Sequence, residues 1–165
     1  MGVETERKFI IKMPDFSLLK GMDGFTKSEI EQIYLESQGS TRRIRKRVFC
    51  DKVLYTETEK IRINSLSAVE NEREISENEF SALAVFIRSG STLIKKTRYT
   101  VKSKEVLLEI DVYPQWKDTA IMEIELQDEN QEIEIPSFIE VLREVTGNKA
   151  YSNSGMSMNF PKEDL

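Results

Sequence analysis

The stretch that decides the fold lies near the amino terminus, where residues 3–9 read Val-Glu-Thr-Glu-Arg-Lys-Phe. Glu4, Glu6 and Lys8 stand two residues apart, and neutral or apolar residues fill most of the alternate positions. Because side chains alternate between the two faces of a strand, this spacing predicts a β-strand with one charged face. The same alternation then recurs along the chain.

Alternation with period two predicts eight strands, at residues 3–12, 30–37, 41–49, 53–60, 68–76, 92–102, 105–113 and 120–128. Several of these strands place same-sign charges two residues apart, namely Arg43, Arg45 and Arg47; Glu70, Glu72 and Glu74; Lys96 and Arg98; Glu109 and Asp111; and Glu123 and Glu125. Eight strands with few helices predict a sheet that closes on itself, because closure removes exposed edges.

The alternation leaves two readings of the charged faces open. They are the solvated outer faces of an ordinary sheet, as charge runs often are, or they line the interior of a barrel. Like charges at this spacing repel unless solvent or an opposite charge separates them. An interior lining gives the pattern a purpose, since carboxylates chelate divalent cations and guanidinium groups hold phosphate oxygens.

Helical spacing is confined to a few segments. Ser76 followed by Glu79 forms a capping box, and the apolar residues from Phe80 to Ile87 predict a helix that stops before Gly90. A second helix is predicted from Pro136 to about Thr146, with Gly147 as its stop, and a short one within residues 15–24. These helices are expected to pack on the outside of the sheet.

The amino-acid composition excludes several classes of catalytic and metal site. The 165 residues include 24 Lys and Arg, 29 Asp and Glu, no His and one Cys, with a net charge of −5. The absence of histidine excludes the Ser-His-Asp triad and imidazole zinc sites, and the single Cys50 excludes an internal disulfide. The acidic balance argues against a general nucleic-acid binder. The groups that remain for catalysis and binding are carboxylates, lysines, arginines and any hard metal ion that they bind.

The order of the motifs resembles the CYTH superfamily, also called the triphosphate tunnel metalloenzymes, and most of all its short bacterial inorganic triphosphatases. Glu4-Thr5-Glu6-Arg7-Lys8 resembles the family's ExExK motif, which is weak alone. The remaining matches follow in the family's order: Arg43-Ile44-Arg45, Thr58-Glu59-Lys60, Glu72-Arg73-Glu74-Ile75, Lys96-Thr97-Arg98-Tyr99, Ile110-Asp111-Val112-Tyr113, Met122-Glu123-Ile124-Glu125, Glu144-Val145-Thr146 and Lys149-Ala150-Tyr151-Ser152-Asn153.

This resemblance implies a mainly β fold, a closed eight-stranded antiparallel barrel with helices outside, formed by residues 1–165 as one domain. It implies that the charged faces point inward and bind a triphosphate with Mg²⁺ or Mn²⁺. Three features depart from the family pattern. Glu57 and Glu59 lie on the outward face of strand four, where the family is usually more apolar, and Glu70 stands where a basic residue is common. The loop over residues 48–53 also reads as longer than in compact members.

Carried over residue by residue, the resemblance also implies a site. The substrate-binding residues are Lys8, Arg43, Arg45, Lys60, Lys96, Arg98 and Lys149. The metal ligands are Glu4, Glu6, Glu72, Asp111, Glu123 and Glu125. The catalytic residues are Glu4, Glu6, Lys8, Glu123 and Glu125.

The expected function is metal-dependent hydrolysis of the terminal phosphate of a triphosphate, with inorganic tripolyphosphate as the leading substrate. The alternatives are a class IV type adenylate cyclase, a thiamine triphosphatase and a polyphosphate-binding module without turnover. The expected partner is a triphosphate-containing small molecule, with neither nucleic acid nor membrane, for a monomer or homodimer. An acidic amino terminus and the lack of an apolar run of ~20 residues predict a cytoplasmic protein.

Overall fold

The computed structural model describes residues 2–163, and over that range the chain is mainly β. In this part of the chain the strands are β1 (Gly2–Lys12), β2 (Thr26–Leu35), β3 (Thr41–Phe49), β4 (Lys52–Arg62), β5 (Ser67–Ile75), β6 (Ile94–Ser103), β7 (Val106–Val112), β8 (Thr119–Glu125) and β9 (Val141–Glu144). The first eight match the eight predicted strands, with ends that differ by a few residues.

These eight strands close into an antiparallel barrel in the order β1-β5-β4-β3-β2-β6-β7-β8, as predicted. β1 closes the circle by changing partners along its length. Residues 2–5 pair with β5, and residues 6–12 pair with β8. β3 therefore lies four strands away from β8 in either direction, directly across the barrel.

The predicted helix from Pro136 to Thr146 is wrong. The chain turns at Pro136, where the Ile139 amide donates to the Pro136 carbonyl, and Val141–Glu144 then form β9. β9 pairs with residues 9–11 of β1, on the edge that β5 leaves free beyond Thr5. The unpaired backbone of that edge favours a strand over the helix that the apolar spacing indicated, because unpaired amides and carbonyls are costly.

The long loop expected at residues 48–53 is also absent from the structure. β3 ends at Phe49 and β4 begins at Lys52, so only Cys50 and Asp51 form the turn. Both residues have positive φ, at 47° and 62°. This is the backbone of a tight two-residue hairpin, whose twist suits antiparallel strands.

The other predicted helices are present. α1 (Phe16–Lys20) is capped by Asp15, and α2 (Glu77–Ala84) is capped by Ser76, whose hydroxyl accepts from the Glu79 amide at 3.0 Å. Sequence analysis missed a 3₁₀ helix (Lys149–Tyr151) and α3 (Asn153–Met158), which follow β9. No helix within residues 2–163 is long and apolar enough to span a membrane.

The charged faces point into the barrel, and the apolar faces point outward. Outside, Phe9, Leu108 and Ile124 belong to a core cluster that Phe16 of α1 also joins, and Leu35 and Ile44 pack under α2. The interior is not charged throughout its length. At one end the inward faces continue as an apolar cluster, which α3 covers, formed by Ile10, Tyr34, Ile94, Tyr113, Trp116, Ile121, Val145 and Met156.

Candidate active site

The charged interior encloses a cavity of about 570 Å³. It lies beside the apolar cluster and is bounded by the β4–β5 turn and the segment after β9. Of the described residues, eight Lys and Arg side chains and three glutamates line it, an excess of five positive charges in a chain of net charge −5. These residues are Lys8, Arg43, Arg45, Lys60, Arg62, Arg88, Arg98 and Lys149, with Glu4, Glu6 and Glu123.

The basic side of the cavity is built on β3 and β4. Arg43 and Arg45 share one face of β3 because they are two residues apart, and that face lines the cavity. Lys60 faces inward from β4. Arg45 Nε donates to Gln32 Oε1 at 3.0 Å, whereas Arg43 Nε is buried without an acceptor. Burial, reinforced by repulsion from Arg43, lowers the pKa of Arg45 to about 10. Arg43 pairs with Glu70 at 3.4 Å, and Arg45 forms no ion pair among the described residues, so a bound anion would add counter-charge to both guanidinium groups.

The acidic side is built on β1 and β8, across the barrel from β3. Glu4 pairs with Lys60 at 2.7 Å, and Glu123 pairs with Lys8 at 3.5 Å. Glu6 forms no ion pair among the described residues. Burial, together with the charge of Glu123, raises the pKa of Glu6 to about 8. Burial opposes ionisation of Glu123 as well, but Lys8 and Arg98 hold its pKa well below the usual range.

The carboxylates of the acidic side have the donor chemistry that a hard divalent cation requires. Residues 2–163 contain no cluster of three or more His, Cys, Asp or Glu preassembled for a metal ion. Among the described residues Glu6 nevertheless forms no ion pair, and it lies half-buried beside Glu123. Mg²⁺ is commonly bound by only one or two carboxylates, with water and substrate phosphate completing its coordination. The donor chemistry therefore suits such an ion once a phosphate ligand is present.

Two predicted site residues lie outside the cavity, in a sealed ion network. Both Lys96 and Asp111 have fully buried side chains joined by a 2.6 Å bond. Arg98 Nε and Nη2 donate to the same carboxylate at 2.7 and 2.8 Å. Burial and repulsion from Arg98 lower the pKa of Lys96 to about 7, whereas Arg98 and Lys96 overcome burial and lower that of Asp111. Only Arg98 also reaches the cavity.

Glu72 and Glu125 also lie away from the cavity lining. Glu125 shares the inward face of β8 with Glu123 but is exposed, beside Glu109, whose pKa burial raises to about 7. Glu72 is exposed on β5 and accepts a 2.9 Å hydrogen bond from the buried Thr58 hydroxyl. The structure does not bring these two carboxylates together with Glu4, Glu6 and Glu123.

The segment after β9 forms a roof over the cavity, defined here as residues 145–158. Gly147 has a φ of 73°, and a Cβ there would lie 2.9 Å from the Ser65 side chain in the β4–β5 turn. This close approach brings the roof against the barrel. Lys149 is exposed at the mouth, and its backbone carbonyl accepts from the Ser152 hydroxyl at 2.8 Å. The predicted position of Lys149 at one mouth of the cavity agrees with this geometry.

Sequence analysis missed several cavity residues. Arg62 extends the inward face of β4 two residues beyond Lys60, so the period-two pattern contained that signal. Arg88 lies in the connection between α2 and β6, and Ser154 lies on the roof. No periodicity points to either residue. Tyr34 is an inward residue of β2 whose apolar character concealed its position at the cavity.

Comparison with known proteins agrees with this architecture. The chain is similar to the inorganic triphosphatase NE1496, with 25% identity over 98% of this chain and 99% of that one and a TM-score of 0.60. It is also similar to a conserved hypothetical protein from Pyrococcus furiosus, with 28% identity over 77% and 80% of the two chains and a TM-score of 0.57. No curated protein matches the sequence. Residues 2–156 match the CYTH domain family, and the chain belongs to that family.

Proposed function

We propose that this protein hydrolyses the terminal phosphate of a triphosphate, with inorganic tripolyphosphate as the preferred substrate, and that the whole chain acts as one domain. The observation that carries the proposal is the division of one cavity into a basic side on β3 and β4 and an acidic side on β1 and β8. Such a cavity suits a polyanion on one side and a cation on the other.

Charge supports a triphosphate. Tripolyphosphate carries about four negative charges near neutral pH, and the cavity lining has more cations than carboxylates. The guanidinium groups of Arg43 and Arg45 suit bidentate contact with phosphate oxygens, whereas that of Arg98 is already bonded to two carboxylates. Lys8 and Lys60 supply compact point charges on the boundary between the two sides.

The rest of the lining favours a substrate without a nucleobase. Tyr34 is the one aromatic residue among the described residues that line the cavity. Its hydroxyl accepts from Gln32 Nε2 at 3.0 Å, and the Arg88 guanidinium lies over its ring at 5.7 Å. The ring face that Arg88 covers is not open for stacking. This favours tripolyphosphate over ATP or thiamine triphosphate.

The residues that would hold a divalent cation are Glu4, Glu6 and Glu123. When bound, Mg²⁺ or Mn²⁺ supplies positive charge to the phosphate oxygens as a Lewis acid. The similarity to a protein identified as an inorganic triphosphatase supports a triphosphate as the substrate. Glu72, Asp111 and Glu125 contribute less in this proposal, since each lies outside the cavity.

The residues of the chain act mainly by positioning and by electrostatic stabilisation, which dominate phosphoryl transfer. Arg43 and Arg45 orient the phosphate chain and neutralise its equatorial oxygens. Arg98, bonded to Glu109 and Asp111, supports the wall beside them. A water oxygen then bonds to the terminal phosphorus as the bridging P–O bond breaks, which yields phosphate and pyrophosphate. With no histidine in the chain, a carboxylate oxygen of the acidic side accepts the proton of that water.

Phosphate release from the purified protein tests the proposal, with tripolyphosphate, ATP and thiamine triphosphate as substrates and Mg²⁺ or Mn²⁺ present. We expect the highest kcat/KM with tripolyphosphate and loss of turnover in EDTA. Cyclic AMP and pyrophosphate are assayed in parallel. Formation of cyclic AMP from ATP without release of phosphate would mean that the protein is an adenylate cyclase and would contradict the proposed hydrolysis.

Two variants serve as the internal comparison. Arg45→Ala removes a cation from the cavity, whereas Arg73→Ala removes an exposed cation from the outer surface, where it pairs with Glu57 and Glu79. Only Arg45→Ala is expected to weaken turnover. If tripolyphosphate raises the melting temperature but no substrate is turned over, the cavity binds polyphosphate and the catalytic proposal fails.

A further inference from the structure

Arg88 places a guanidinium group in the cavity from outside the barrel strands. It follows α2 in a segment that runs beside the end of β2. The Arg88 amide donates to the Tyr34 carbonyl at 2.8 Å, and Ile87 forms a β-bridge with Leu35. The backbone that carries Arg88 is therefore fixed to the barrel.

The side chain of Arg88 is held in place by α3. Nη1 donates to the Ser154 hydroxyl at 2.9 Å, and Nη2 donates to the Ser154 carbonyl at 2.8 Å and to the Ser157 hydroxyl at 3.0 Å. The guanidinium also lies over the Tyr34 ring. A side chain fixed by three hydrogen bonds and a ring loses little conformational freedom when it binds a ligand.

This arrangement leaves part of the hydrogen-bonding capacity of Arg88 unused. An arginine has five N–H groups, and three of those of Arg88 donate to the roof. Its Nε is buried without an acceptor, as is Nε of Arg43, the β3 residue that pairs with Tyr34. No ion pair joins Arg88 to a carboxylate among residues 2–163, so its charge is uncompensated by the described protein. An orphaned charged donor at a cavity is a position where an anionic ligand is favoured.

We propose that Arg88 is a further substrate-binding residue, which the roof preorganises to contact triphosphate oxygens. This inference rests on the proposed function, because it assigns Arg88 to the same cavity. It joins the roof to substrate recognition, since the hydrogen bonds that hold Arg88 come from Ser154 and Ser157. The roof thereby contributes to the affinity for the triphosphate by holding Arg88, which lies outside it.

The test compares Arg88→Gln with Arg88→Lys, and uses Arg73→Gln as the matched control on the outer surface. Tripolyphosphate binding is measured by calorimetry without metal, and KM and kcat are measured with Mg²⁺. We expect Arg88→Gln to weaken binding and raise KM about tenfold to a hundredfold, with kcat changed less than KM. Arg88→Lys should recover part of the affinity because it restores the charge without the planar fork. The control should behave as wild type.

A thermal melt separates binding from support of the roof. Ser154→Ala removes the hydroxyl that fixes Nη1 while the cation remains, so it should weaken binding less than Arg88→Gln does. If Arg88→Gln lowers the melting temperature but leaves tripolyphosphate affinity and KM unchanged, Arg88 only supports the roof and the inference is wrong. If the wild type itself fails to bind tripolyphosphate, the proposed function fails, and this inference fails with it.

Discussion

Two groups of charges lie side by side in the barrel and differ in how completely they are paired. In the sealed network, the Asp111 carboxylate accepts from Lys96 Nζ and from two nitrogens of Arg98, all within 2.8 Å. In the cavity, the one carboxylate of residues 2–163 that pairs with Arg43 is Glu70, at 3.4 Å, and Arg43 Nε has no acceptor there. Both groups consist of charges at two-residue spacing on neighbouring strands.

The difference separates structural charges from charges available to a ligand. A buried carboxylate that accepts three hydrogen bonds from two cations has its charge compensated and most of its lone pairs occupied, so it is a poor ligand for a metal ion. By contrast, a buried guanidinium nitrogen without an acceptor is a position where an anionic ligand is favoured. Membership in a motif assigns a residue to the interior of the barrel, and the pairing then indicates whether it supports the fold or faces a ligand.

The largest expected effect is on stability, from Asp111→Ala. This change leaves Lys96 and the Nε and Nη2 groups of Arg98 buried without their partner. Removal of one member of a buried ion pair typically costs about 3–5 kcal/mol. Urea unfolding should show that loss in the free energy of unfolding at pH 7.

The control for this prediction is Glu144→Ala, which removes an acceptor from Arg7 in an exposed ion pair. Exposed pairs contribute about 0.2–1 kcal/mol. A similar small loss for both variants would mean that water or rearrangement compensates the sealed network, and that Asp111 remains available as a ligand.

The next largest effect is on turnover, from Glu6→Gln. Glu6 has no cationic partner among the described residues, and burial raises its pKa to about 8, so glutamine resembles the form it takes without metal. Stability in EDTA should therefore change little. Loss of one preorganised electrostatic group lowers turnover about 10²–10³-fold, which steady-state phosphate release with Mg²⁺ measures. Full activity with unchanged metal dependence would remove Glu6 from the metal site.

These contrasts also define what the sequence could predict. The alternation on β1, β3 and β8 predicted the strands and placed their charged residues on a shared face, because the period of a strand fixes which face a residue occupies. That this face points inward was implied by the resemblance to the CYTH superfamily. Period alone does not fix depth along the barrel. Lys96 and Arg98 share a face, yet one is sealed beside the apolar cluster and the other reaches the cavity.

The missed elements have a different cause. β9 forms because β1 changes partners beyond Thr5, and this vacant edge exists only after the barrel has closed. Arg88 lies in a connection without a repeating pattern, and long-range contacts with Ser154 and Ser157 bring it to the cavity. Local spacing contains no information about such contacts.

Arg45→Ala tests the cavity charges directly and should have an intermediate effect on activity. Within the described part of the chain its guanidinium donates to the Gln32 amide oxygen and to no carboxylate, so no buried carboxylate loses a partner. Stability should therefore be nearly unchanged. Loss of charge-assisted bonds to phosphate should lower kcat/KM for tripolyphosphate about 10–100-fold, mainly through KM. Unchanged substrate affinity would assign Arg45 to the structural charges instead.

The smallest effect is expected outside the barrel, from Glu57→Gln. Burial opposes ionisation of Glu57, but hydrogen bonds from Arg42 and Arg73 lower its pKa below 4.5 in the folded protein. Because the folded pKa is below the unfolded one, this carboxylate stabilises the fold above pH 4.5, and that stabilisation is lost as pH falls through the folded pKa. The variant should lose about 0.5–1 kcal/mol at pH 7, and the difference should shrink on acidification. Urea unfolding across this range measures it. A loss that does not depend on pH would mean that Glu57 acts through packing, and that pairing on the outer surface contributes little beside the interior networks.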